Sequence, residues 1–121
     1  MGPVNWLAVA LSTLVMLALW AVWPGARRAR VTAPGMLGAL VLLALPAAMI
    51  GHALARIGPE KLALKPWLYW MQTGGVAAFF VIPALWLGRN RSAWNGRKAL
   101  AEAGFWLVAF LAMGTVFWAT A

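Results

Sequence analysis

Residues 36–55 read MLGALVLLALPAAMIGHALA, and His52 is the only titratable side chain among these twenty positions. A helix rises about 1.5 Å per residue, so twenty residues reach roughly 30 Å, the thickness of a bilayer's hydrocarbon core. A stretch this long and this apolar is expected to cross a membrane. Working outward, three more segments have the same character. Residues 4–23 and 67–88 carry no charge, and residues 99–119 contain only Glu102. All the other Lys, Arg and Glu residues lie between these segments. A charge at mid-bilayer costs roughly 2.5–3.5 kcal/mol on insertion scales, which explains the segregation.

The whole composition agrees. Of 121 residues, 64% are hydrophobic and 10% charged, with a mean hydropathy of +0.83. A water-soluble domain carries about 25% charged residues, so this chain lacks the polar surface to coat a particle in water. Lipid satisfies no backbone hydrogen bonds, so only helices or closed barrels span it. Barrel strands are about ten residues long and alternate in polarity. The runs here are twice that length and do not alternate. The expected fold class is therefore all-α: an integral membrane protein forming an antiparallel bundle of four transmembrane helices, a single domain over residues 1–121.

Punctuation residues fall between the spans. Pro24-Gly25 and Pro34-Gly35 bracket the first connection, Gly58-Pro59 and Pro66 the second, and residues 90–96 form the third. Connections this short make neighbouring helices antiparallel and leave no room for an extramembrane domain. The first span is not expected to be a secretory signal. No Lys or Arg precedes it, it is too long, and its basic cluster follows it.

The net charge of +8 comes from ten Lys and Arg against Glu60 and Glu102. The first loop holds Arg27, Arg28 and Arg30, and the third Arg89, Arg91, Arg97 and Lys98. The second holds Arg56, Lys61 and Lys65. Seven basic residues therefore face three across the membrane. The positive-inside rule puts the seven in the cytoplasm, with both termini in the periplasm of a bacterial inner membrane. Basic loops of this kind suit lipid headgroups, not nucleic acid, because the charges are not gathered on one folded face. Nine Trp residues reinforce the boundaries. Trp6, Trp67, Trp70 and Trp118 fall at one interface and Trp20, Trp23 and Trp86 at the other, where an apolar ring with a polar N–H is at home. Trp94 lies in the third loop, and Trp106 is expected to pack.

Few residues could carry chemistry. Asn5, His52 and Gln72 fall at similar depth near the outer end of three helices and form a candidate polar cluster, as a pocket or as packing hydrogen bonds. Glu102 is the one carboxylate within a span. Lys98 precedes it by four residues on the same face, suiting a charge-paired residue or a proton-coupling acid. Ala47, Gly51 and Ala55 form a small-residue stripe of the kind that lets helices approach closely. Pro46 and Pro83 are expected to kink their helices, and Gly74-Gly75 is a thin point. His52 with Ala48 one turn earlier has the spacing by which bacterial antenna helices bind tetrapyrroles, but one histidine cannot supply two haem ligands. There is no Cys, which excludes disulfides and thiolate sites. Two Glu and one His assemble no metal site or catalytic triad. Small multidrug exporters share the four-helix plan but place an essential carboxylate in the first helix, which has none here.

Two stretches carry a resemblance: Asn5-Trp6-Leu7-Ala8-Val9 with Leu19-Trp20 and Pro24, and Gly104-Phe105-Trp106-Leu107-Val108 with Met113-Gly114. In order and position they resemble the family of small bacterial four-helix membrane proteins known as domain of unknown function 1761. The sequence departs from that pattern after Trp20, where the family often has Tyr. The resemblance implies a four-helix fold and a membrane location, and transfers no catalytic role. The functional expectation is a non-enzymatic accessory or scaffolding subunit of a larger membrane complex, partnered by lipid and by other subunits or itself. The rivals are a small homo-oligomeric transporter or channel using His52, Gln72 or Glu102, and a pigment-binding protein. Bound lipid is the expected non-protein component.

Overall fold

The computed structural model describes residues 3–23, 33–89 and 95–121. Its helices start where a side chain or a glycine supplies what the free backbone lacks. Asn5 caps α1 (Trp6–Val22), its Oδ1 accepting from the Ala8 N–H at 3.1 Å. Asn95 does the same for the last helix, accepting from the Lys98 N–H at 2.7 Å. Each side chain satisfies one of the donors that a helix N-terminus leaves open.

The second helix, α2 (Ala33–Ile57), continues through Pro46. It ends at Gly58, where the connection is not a plain loop. Gly58 has φ 95° and ψ 147°, the only positive φ among the described residues. Its N–H closes α2 on the Leu54 carbonyl at 3.0 Å, and its own carbonyl accepts from the Leu62 N–H at 3.2 Å. One residue thus ends α2 and opens a short helix, α3 (Pro59–Leu64), with Pro59 in the first turn, where a missing N–H costs nothing. A side chain at Gly58 would occupy a backbone region that is nearly glycine-only. Gly58→Ala is expected to cost about 1–3 kcal/mol, read as a lower midpoint in detergent unfolding; an unchanged midpoint would refute the role given to Gly58.

The next rod, Trp67–Arg89, is built from α4 (Trp67–Val76), a π-helical turn (Ala77–Val81) and α5 (Ile82–Arg89). The irregularity falls in the turn before Pro83, not at Gly74-Gly75. Pro83 offers no N–H to the Phe79 carbonyl and crowds it. The backbone widens there, and the Ile82 N–H reaches back to the Ala77 carbonyl. The chain closes with α6 (Gly96–Ala119).

All regular structure among the described residues is helical. Three helices, Pro34–Ile57, Trp67–Arg89 and Gly96–Ala119, are long and apolar enough to cross a membrane. α1 differs from its expected length: it has 17 residues where residues 4–23 suggested twenty. Asn5 is spent on capping and Trp23 is extended, so the helix is about 26 Å long.

α1 and α6 form the central pair. The Asn5 Nδ2 reaches Thr120 at one end, and the Trp23 indole N–H donates to the Ala101 carbonyl at 2.9 Å at the other, so the two run in opposite directions. α2 lies on one side of this pair and α4 with α5 on the other. The core is made of Met16, Ile50, Phe110 and Met113, with Ala8, Ala47 and Ala109 fully enclosed at the crossings. α4 packs on α6 at Gly114, where an added Cβ would lie 2.6 Å from Thr73 Oγ1 and 3.2 Å from the Tyr69 carbonyl. Trp106, half-buried, meets Phe105 and Phe110 edge-on. α2 and α4 meet only sparsely, and α3 connects them at one end.

Candidate functional site

The end of the molecule where α1 begins, α2 and α6 finish and α4 starts holds a cavity of about 270 Å3. Pro3, Asn5, Ala55, Leu62, Tyr69 and Phe117 are among the residues that line it. Five separate segments contribute, which is why no single stretch of sequence announces it. Its walls are almost wholly apolar. Of the small-residue stripe, Ala47 is buried in the core, while Gly51 and Ala55 form part of the cavity wall. Gly51 also admits Val9 of α1 and Val4 just before it, whose methyls would lie 2.9 and 3.3 Å from a Cβ placed there.

Two polar side chains reach this cavity. Asn5 is already committed: Oδ1 accepts from the Ala8 N–H, and Nδ2 donates to the Thr120 carbonyl at 3.3 Å and to its Oγ1 at 3.2 Å. Tyr69 is different. Its side chain is only 6% exposed, and its hydroxyl makes no hydrogen bond among the described residues. It is also not one of the fully enclosed unpartnered atoms, which are Ser12 Oγ and Arg89 Nε. The hydroxyl therefore keeps some accessible surface, and Tyr69 is one of the residues that line this cavity.

His52 stands near the same end but outside the cavity. Its side chain is exposed, with the edge of Trp6 against it at 5.5 Å between ring centroids. Nδ1 lies 2.8 Å from the Ala48 carbonyl. A carbonyl only accepts, so Nδ1 carries a proton in this contact. Gln72 is half-buried on α4, and no hydrogen bond joins it to Asn5 or His52 among the described residues. Asn5 is brought instead to Thr120, a partner 115 residues away that sequence reasoning missed.

Glu102 and Lys98 are half-buried near the start of α6, and both are engaged with neighbours. Arg89 lies with its guanidinium 5.2 Å from the centre of the Trp86 ring, and Arg97 is exposed. Arg27, Arg28, Arg30, Arg91 and Trp94 lie outside the described residues. No three His, Asp or Glu side chains come close enough to hold a metal ion among the described residues. Besides Tyr69, the buried polar side chains among the described residues are Ser12, Thr13 and Thr73; the two threonines bond back to carbonyls of their own helices, Thr13 to Val9 at 2.8 Å and Thr73 to Tyr69 at 3.0 Å.

The outward surfaces are as informative as the cavity. The rod Trp67–Arg89 has only 11% of its apolar window buried, against 28% for Pro34–Ile57 and 33% for Gly96–Ala119. Phe79 and Phe80, side by side on the π-helical turn, are 76% and 71% exposed. Compared with protein-family models, with curated proteins and with solved structures, the chain matches none.

Proposed function

We propose that this chain is a non-enzymatic accessory or scaffolding subunit of the bacterial inner membrane. In this reading α1, α2, the rod Trp67–Arg89 and α6 all cross the bilayer as an antiparallel four-helix bundle. α1 lies at the short end of the spanning range, flanked by Val4 and Trp23. Both termini are periplasmic, and the basic loops face the cytoplasm. The resemblance to the domain-of-unknown-function 1761 family fits this reading.

The observation that carries the proposal is the bare flank of the rod Trp67–Arg89, centred on Phe79 and Phe80. Three circumstances favour a protein partner on that flank. It is the least buried of the long helices, it presents two adjacent aromatic rings, and it does so from a π-helical turn, a distortion frequent at functional positions. Between membrane helices the driving force is packing, and rigid aromatic rings offer much contact area. Among the described residues the buried Ser12, Thr13 and Thr73 do not bond to one another, and the two threonines bond back to carbonyls of their own helices. This favours a packing subunit over a polar transport path.

The test is purification from native membranes in mild detergent. The chain is expected to elute with one or more membrane partners, or as a stable oligomer. Replacing Phe79 and Phe80 together by Ala is expected to weaken that association by roughly tenfold or more, while the chain itself stays folded. A chain that elutes alone from native membranes would sink the proposal.

A further inference from the structure

We infer that the cavity beside Tyr69 is a lipid-binding site: it holds one acyl chain of a phospholipid, whose ester carbonyl accepts a hydrogen bond from the Tyr69 hydroxyl. The inference rests on the membrane placement proposed above, but not on the subunit role.

Three independent observations converge. The first is chemical. The lining is aliphatic and aromatic, with Leu54, Ala55, Leu62 and Phe117 on the walls, so the occupant must be apolar over most of its length. The second is an unpartnered hydroxyl. Asn5 has spent its donor and acceptor on Thr120 and Ala8. Tyr69, nine-tenths buried and without a partner among the described residues, still has one O–H to give. A hydroxyl in apolar surroundings that gains an acceptor contributes a modest net stabilisation, so an acceptor there is favoured. An ester carbonyl at the head of an acyl chain supplies that acceptor and the apolar body together. The third is depth. The cavity lies at the end of the helices where Trp6, Trp67, Trp70 and Trp118 gather, and Trp rings settle at the level of the headgroups. Ester carbonyls sit at the same level. At about 270 Å3 the volume is just below the range of drug-sized pockets, which suits a segment of chain better than a fused ring system.

α3 makes the site possible. Gly58 turns the chain so that Leu62 of α3 packs inward and borders the cavity, bridging the gap that the sparse meeting of α2 and α4 leaves. The short helix therefore has a structural purpose in this reading: it walls one side of a lipid site.

The experiment uses the full chain in liposomes containing a phospholipid with a photoactivatable group near the ester end of one acyl chain, followed by peptide mapping. The expected result is labelling of cavity residues such as Leu54, Leu62 and Phe117. Ala55→Phe fills the cavity and is expected to lower that labelling about fivefold or more. Tyr69→Phe keeps the ring and removes only the hydroxyl, and is expected to lower it by about fivefold, the effect of one hydrogen bond. Labelling at Met71, exposed on α4 near the same end of the bundle but not part of the cavity lining, is the internal reference and should not change in either variant. Cavity labelling that stays at the wild-type level in either variant overturns the inference. Displacement by excess free isoprenoid quinone, which offers the same carbonyl on a long tail, overturns it too. Loss of labelling everywhere, Met71 included, would mean that the membrane placement itself has failed.

Discussion

Gly114→Val is expected to lower the unfolding free energy by about 3 kcal/mol, the largest loss from any single added side chain in this molecule. The reason lies in where α4 meets α6. A Cβ at Gly114 would sit 2.6 Å from Thr73 Oγ1, 3.2 Å from Trp70 Cδ1 and 3.2 Å from the Tyr69 carbonyl. Thr73 cannot swing away cheaply, because it is fully enclosed and its hydroxyl is bonded to the Tyr69 carbonyl at 3.0 Å. The Tyr69 carbonyl is backbone and can move only if α4 moves. Moving α4 breaks the bond from the Trp70 indole N–H to Thr115 Oγ1 at 2.9 Å and disturbs the Trp70–Trp118 contact. Gly75→Ala supplies the control: nothing lies within 4 Å of a Cβ built there, so it should be neutral or stabilising by up to about 1 kcal/mol, the helix-propensity gain. Reversible unfolding in mixed micelles measures both. Equal effects of the two substitutions would show that the close approach at Gly114 contributes nothing.

Phe110→Ala should cost about 2–3 kcal/mol, and the size of the loss bears on the medium as well as the fold. Phe110 is the largest fully enclosed side chain in the core, with Trp106 packed edge-on against it. In water the full penalty for such a truncation is about 3–5 kcal/mol, transfer and cavity together. In a bilayer the unfolded helices remain in oil, so the transfer part falls away. A void on the order of 100 Å3 at about 24 cal/mol per Å3 leaves the cavity part alone. Phe79→Ala makes the same chemical change on the outward flank, where the ring is 76% exposed, and is expected to stay within about 0.5 kcal/mol. If Phe79→Ala destabilised the isolated chain as much as Phe110→Ala, the inside and outside of the helices would have been misassigned.

Much of the architecture was legible from residues 36–55 and their counterparts, because length and apolarity are summed properties that need no knowledge of neighbours. Residues 67–88 and 99–119 anticipated the rod and α6 to within a few residues. The misjudged points are local. Residues 4–23 gave a shorter helix because Asn5 acts as a cap. Gly58-Pro59 was readable as a break but not as the hinge into α3. Pro83 was readable as a disturbance of its helix but not as the π-helical turn just before it.

The candidate site was far less legible. Asn5 and Gln72 share a depth along their helices, but depth says nothing about rotation around the axis. Rotation decided that Asn5 meets Thr120, that His52 lies exposed beside Trp6, and that Gln72 bonds to neither. Tyr69 drew no notice in a run of aromatic residues, since its distinction is an unused hydroxyl, and that is a property of its surroundings.

The sequence by itself determined the class of structure: an all-helical chain with long apolar helices. Those follow from hydropathy and backbone hydrogen bonding, which each segment satisfies alone. Only the tertiary structure decided the pairing of α1 with α6, the tight seat at Gly114, the bare flank at Phe79 and Phe80, and the cavity beside Tyr69. Each depends on how helices turn about their axes and fit against one another. Side-chain shape fixes that fit by packing, and no count along a single segment contains it.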